Sequence, residues 1–189
     1  MTETRERIVG ASASLMSRQG YAATGVKQIV AEARAPFGSV YHFFPGGKEE
    51  LGAAAIRHSG ASYLPLIPTV FDAAPDVVTG VRDFFAGAAE HLWETDYEDA
   101  CPIATIALEV SSMSTPMREA CADVFESWIA AGVERFSSLG LSEERSRELV
   151  IAFIAALEGA FVLCRAMRST APLFIAGEMM ANELARALN

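Results

Sequence analysis

Cysteine and histidine are scarce in this chain, and their scarcity narrows the chemistry. The three cysteines (Cys101, Cys121, Cys164) are odd in number and widely spaced, with no Cys-x-x-Cys pair. Neither a disulfide framework nor a zinc site is expected from that pattern, which suits small buried hydrophobes in a reducing compartment. The three histidines (His42, His58, His91) are equally dispersed, and neither a Gly-rich phosphate loop nor a Gly-x-Ser-x-Gly nucleophile motif occurs. No catalytic residue, metal or cofactor is therefore expected. Long hydrophobic runs are missing as well. The longest, around Val150–Leu157, is far short of the roughly 20 residues that a bilayer requires. The first residues, from Thr2 to Arg7, lack the apolar core of a signal peptide. The expectation is a cytoplasmic protein with no membrane partner.

What is present is apolar, helical and unevenly charged. Hydrophobic residues make up 51% of the 189 and charged residues 21%, enough for one large or two modest domains. The net charge of −9 is divided unequally: residues 1–60 carry seven Lys/Arg against five acids, a balance of +2, and the remainder carries eight against nineteen, −11. A weakly basic head on an acidic body suits an anionic partner that approaches one end.

Helical spacing runs through almost the whole chain, and no alternating strand pattern survives. Ile8, Ala11, Leu15 and Met16 share a face before Gly20 stops the helix. Thr24 is placed to cap a short helix over 26–33, and a further short helix spans 37–44 before Pro45-Gly46-Gly47. A longer helix starts at Lys48 and ends at Pro65 and Pro68. Beyond it, helices are predicted from Pro75-Asp76 to about Thr95, from Pro102 to Ser112, from Pro116 to Gly140, from Ser142 to Arg168, and from Pro172 to the end. The fold class is all-α, with about nine helices. The stretch Val150–Leu163 is apolar almost all round, interrupted only by Glu158. A surface helix has a polar face, so cover on two sides is expected here, by the domain core and by a second subunit.

Two short helices behind a supporting one fit a helix-turn-helix, whose second helix enters the major groove of DNA. At 100° per residue, Val40 and Phe44 face the supporting helices, while Gly38, Tyr41 and His42 point away from them. Gly38 permits close approach to a sugar-phosphate backbone, and a tyrosine hydroxyl can donate to a phosphate oxygen. Lys48 stands where free helix N–H groups already favour phosphate. A short exposed helix pair in an ordinary bundle is the competing reading of the same spacing.

The run from Ala33 to Leu51, Ala-Arg-Ala-Pro-Phe-Gly-Ser-Val-Tyr-His-Phe-Phe-Pro-Gly-Gly-Lys-Glu-Glu-Leu, resembles the signature of the TetR family. Gly20-Tyr21, Thr24 and Ile29 agree with it. The doubled glycine before Lys48, Cys101-Pro102-Ile103-Ala104 with Ala107-Leu108-Glu109, Leu157-Glu158-Gly159-Ala160, and Arg168-Ser169-Thr170-Ala171-Pro172 resemble the LmrA/YxaF-like branch. The resemblance implies a three-helix helix-turn-helix DNA-binding domain at 1–46, and a helical ligand-binding and dimerisation domain at 47–189. It implies a homodimer formed through helices 143–168 and 172–188, operator double-stranded DNA as one partner, and a small, largely apolar effector as the other. Repression is the usual mode. Operator contacts are expected from Thr24, Lys27, Phe37, Gly38, Ser39, Tyr41, His42 and Lys48.

Two positions depart from the family pattern. Arg34 stands where Gly usually makes the turn, and Phe37 stands where Lys or Arg is frequent. The candidate effector pocket comprises Phe84, Phe85, Ile106, Glu109, Met113, Trp128, Phe153, Leu157 and Phe161. Glu109 and Glu158, carboxylates in apolar stretches, could orient a ligand, pair with Arg165 or Arg168, or reach solvent. The helix from Lys48 joins the two domains, so an effector that wedges it would alter the 34–36 Å spacing of the paired recognition helices. The alternative is a small-molecule-binding helical enzyme or carrier without DNA binding.

Overall fold

A computed structural model describes residues 3–189; Met1 and Thr2 lie outside the described residues. Within them the chain is all-α, without strands, in ten helices. These are α1 (Glu3–Ala23), α2 (Val26–Glu32), α3 (Gly38–Phe43), α4 (Gly47–Tyr63), α5 (Leu66–Ala73), α6 (Val77–Glu94), α7 (Pro102–Val110), α8 (Thr115–Ser137), α9 (Glu143–Met167) and α10 (Ala171–Ala187).

The caps explain most of the boundaries. Asp76 accepts from the Thr79 N–H and opens α6, Pro102 occupies the first turn of α7, and Ser142 accepts from the Arg145 N–H to open α9. Two expectations are corrected. Thr24 does not cap α2; Gly25 holds that position, and the Thr24 hydroxyl donates instead to the Gly20 carbonyl at 2.7 Å. Pro65 and Pro68 do not end the helical run but frame a new short helix, α5. Both lie in its cap and first turn, where the N–H that proline lacks would have had no intrahelical partner.

The helices gather into two compact units. The first contains residues 1–62 and 101–125, and the second contains 63–100 and 126–189. This division differs from a boundary at 46/47, because α4, α7 and the start of α8 pack with the N-terminal helices. The core of the first unit is built from Ile8, Leu15 and Met16 of α1, Ile29 of α2, Val40 and Phe44 beside and within α3, Leu51 and Ile56 of α4, Ile103 and Ile106 of α7, and Met117 of α8, all buried. In the second unit, Phe71, Val81, Phe85, Leu92, Ile129, Phe136, Leu149 and Leu173 form the core. Burying one such side chain contributes about 1.5–3 kcal/mol. Helices α6 and α10 meet closely at Gly177, where a Cβ would lie 2.7 Å from that of Phe85.

Helix α9 corrects the expectation that nothing resembles a membrane span. It is 25 residues long, with a mean hydropathy of 2.1 over its most apolar stretch, long and apolar enough to cross a bilayer. Counting consecutive apolar residues missed this because Glu158 interrupts the run without removing its average hydrophobicity. The core helix of a soluble protein meets the same criterion, yet only 28% of this stretch is buried.

Candidate nucleic-acid interface

The module begins where α1 breaks. Gly20 has φ 81° and ψ 172°, outside helical geometry. The break frees the N–H groups of Tyr21 and Ala22, and the Glu109 carboxylate of α7 accepts both, at 2.7 and 2.6 Å. Lys48 Nζ donates to the Tyr21 carbonyl at 2.7 Å and stands 4.1 Å from the centre of its ring. Burial lowers the Lys48 ammonium pKa, opposed by the charge of Glu109. Burial also raises the Tyr21 phenol, with Glu49 and then Glu109 adding to the effect.

Helix α2 ends in a Schellman turn. The Ala35 N–H donates to Val30 O at 2.9 Å and the Arg34 N–H to Ala31 O at 3.2 Å. Arg34 occupies the left-handed position, φ 49°. The positive φ for which the family uses glycine is thus retained under an arginine side chain. From α1, Arg7 Nε donates to Ala33 O at 3.1 Å and fixes the same turn. Sequence reasoning missed this role, since Arg7 lies 26 residues away and carries no local signal.

Helix α3 presents its sides unequally. Val40 and Phe44 are buried, as helical geometry requires, whereas Tyr41 is 50% and Phe37 48% exposed, and His42 is exposed. Phe37 leans on Tyr41, ring centres 5.7 Å apart, so it lies with the outward group. Ser39 is half-buried, and Lys27 of α2 is exposed. A Cβ built on Gly38 would meet no atom within 4 Å beyond its chain neighbours. Packing within the chain therefore gives no reason for the missing side chain. Phe37, Gly38, Tyr41 and His42 share one short exposed surface. Thr24 and Lys48 do not join it: Thr24 is fully buried and hydrogen-bonded to Gly20 O, and Lys48 is engaged on Tyr21.

Five of the nine candidate pocket residues share one cluster in the second unit. Phe84 and Phe85 pack edge-on against Phe153 at 5.3 and 4.9 Å, with Leu157 and Phe161 in the same core cluster. Trp128 lies against Tyr63 at 6.2 Å. Ile106, Glu109 and Met113 belong to the other unit; Ile106 is buried in its core and Met113 is 66% exposed. Glu109 is a correction with a clear cause: its carboxylate satisfies backbone donors orphaned by the break at Gly20. Arg165 and Arg168 are engaged within their own unit. They bond to the turn after α6, through Tyr97 O and through Asp96. An open groove of about 710 Å³ lies elsewhere, beside α1 and α4, and is edged by Arg5, Glu6, Phe44, Glu50, Arg57 and His58.

Comparisons with known proteins agree with this arrangement. Residues 8–55 match the model of the bacterial regulatory proteins of the tetR family, and residues 77–179 match the C-terminal domain of LmrA/YxaF-like transcriptional regulators. The chain is 34% identical to the HTH-type transcriptional regulator YxaF of Bacillus subtilis over 94% of its own length and 93% of that protein. It is 32% identical to the HTH-type transcriptional regulator LmrA of the same organism, covering 90% and 91%. The fold resembles that of reduced NemR from E. coli, with a TM-score of 0.81, 20% identity and 96% coverage of each chain. YxaF and LmrA are transcriptional regulators rather than enzymes. From the signature run, the exposed second helix of the module and both family domains, the chain is a TetR-family transcriptional regulator with a helix-turn-helix DNA-binding domain, of the LmrA/YxaF-like branch.

Proposed function

We propose that the protein acts in the cytoplasm as a homodimeric repressor, released from its operator by a small, largely apolar effector bound in the helical body that starts at residue 47. One observation carries the DNA-reading part: Phe37, Gly38, Tyr41 and His42 share an exposed surface, and Gly38 leaves open space where a side chain would stand. A phosphodiester backbone can approach the helix at Gly38, the Tyr41 hydroxyl donates to phosphate, and His42 and Phe37 reach base edges, Phe37 through thymine methyl groups. Ser39 and the exposed Lys27 complete the contact set.

Dimerisation is supported by the outward face of α9 and α10. Ile151, Val162, Leu163, Met167, Ile175 and Met179 are each 46–66% exposed, and Gly159 has open space around it, so a second copy can approach closely there. The effector then works by population shift. A tenfold loss of operator affinity requires about 1.4 kcal/mol of differential binding between the two states. The test is selection of duplexes from a random DNA pool, followed by titration of the selected duplex against salt. Binding should weaken steeply with salt as counterions are released. A protein that selects no duplex at low salt is not a DNA-binding regulator of this kind.

A further inference from the structure

The break at Gly20 is held by three side chains, two of which come from distant parts of the sequence. Glu109 takes the N–H groups of Tyr21 and Ala22, Lys48 holds the Tyr21 carbonyl and covers its ring, and the buried Thr24 hydroxyl holds the Gly20 carbonyl. Gly20 itself is required twice, by its φ of 81° and because a Cβ there would lie 2.8 Å from Glu109 Oε2. Glu109 belongs by sequence to the C-terminal family domain, yet its carboxylate is built into the DNA-binding unit. Tyr21 is five residues before Val26, where α2 begins, so the direction of the chain at the break sets how α2 and then α3 are presented.

We infer that Glu109 and Lys48 are positioning residues that set operator affinity by clamping the α1 break at Gly20–Ala22, with Lys48 acting through Tyr21. This rests on the DNA-binding reading above. The clamp also defines what a shift of α7 would do: withdrawing Glu109 leaves two backbone donors without their acceptor and frees the hinge ahead of α2. The effect on DNA then arises without any change in the residues that touch it.

The experiment uses the full-length protein and a duplex that the wild type has selected from a random pool. E109Q replaces one acceptor oxygen with a donor facing the Tyr21 and Ala22 amides. K48M removes the ammonium and keeps the length of the side chain. Each variant should bind the duplex about tenfold more weakly, with the slope of log Kd against log salt unchanged, and the double variant should be scarcely weaker than either single one. Amide hydrogen exchange in E109Q should accelerate at Tyr21 and Ala22 and stay unchanged in the cores of α4 and α9, an outcome that general destabilisation would not produce. A slope reduced by about 0.9 in K48M makes Lys48 a phosphate contact and overturns the inference. So does wild-type affinity in E109Q. If E109Q melts too low to assay, the K48M slope alone decides. Failure of the wild type to select any duplex sinks the DNA-binding reading itself, a result distinct from either.

Discussion

Two surfaces of this protein are left uncovered by its own chain, and they differ in almost every respect. The surface on α3 is short and mixed in character: two half-exposed rings, an exposed histidine, and a glycine with open space beside it. The surface on α9 and α10 is long and almost wholly apolar. Water tolerates the first at little free-energy cost, since its polar groups remain hydrated. The second exposes a continuous hydrophobic stripe larger than isolated surface residues would form, and such stripes mark interfaces. Exposure by itself therefore says little. The chemistry of the exposed face separates a surface that fits a hydrated polyanion from one that fits a copy of itself.

The largest expected effect breaks the apolar side of this contrast. Gly159→Arg adds a side chain where the subunit itself has room, so folding should survive. In a dimer it places an unpaired charge in a dry interface, which typically costs several kcal/mol. Light scattering should show a monomer at micromolar concentration. Operator binding should fall by about a hundredfold or more, because two linked half-site contacts become single ones. A dimer that persists would mean that the copies meet elsewhere.

Next comes the polar side. Tyr41→Ala removes a donor to phosphate, and hydrogen bonds to charged groups are worth about 1.5–3 kcal/mol. Affinity for the selected duplex should drop at least about tenfold, with Tm unchanged because the ring is half-exposed. Unaltered affinity would remove Tyr41 from the interface. Phe37→Lys sharpens the same surface by restoring the family's frequent cation. The salt slope should steepen by about 0.9, the signature of one further phosphate neutralised. No change in slope would place residue 37 away from the backbone of the DNA.

The smallest effect concerns stability rather than recognition. Arg34 stands in the left-handed region at the Schellman turn, where an L-residue pays roughly 1–2 kcal/mol. Arg34→Gly relieves that strain but loses about 0.5–1 kcal/mol to the entropy of the unfolded chain. The net gain should lie between zero and about 1.5 kcal/mol, or a rise of up to about 3–6 °C in Tm by calorimetry. A lower Tm would show that the Arg34 side chain contributes contacts that outweigh the strain.

Local rules made most of the fold legible. Helical spacing placed Val40 and Phe44 inward, and Tyr41 and His42 outward, and Asp76, Pro102 and Ser142 marked helix starts. Each rests on interactions within a few residues, which a one-dimensional reading captures. Missed features had partners far along the chain or depended on position within an element. Pro65 and Pro68 looked like terminators because their place in a first turn is unknown until the helix is seen. Thr24 carried a family expectation of DNA contact, and only packing directed its hydroxyl to Gly20. Glu109 was noticed as a carboxylate in an apolar stretch, but its partners at Tyr21 and Ala22 lie 88 and 87 residues away.

The sequence by itself determined the class of fold, the family and the outward face of the recognition helix, because periodicity, caps and a signature run are local properties of the chain. Tertiary structure alone decided which groups within the chain the polar side chains bond. Thr24, Lys48 and Glu109 each bond a backbone group that the fold brings within 3 Å, and the order of residues does not encode that distance.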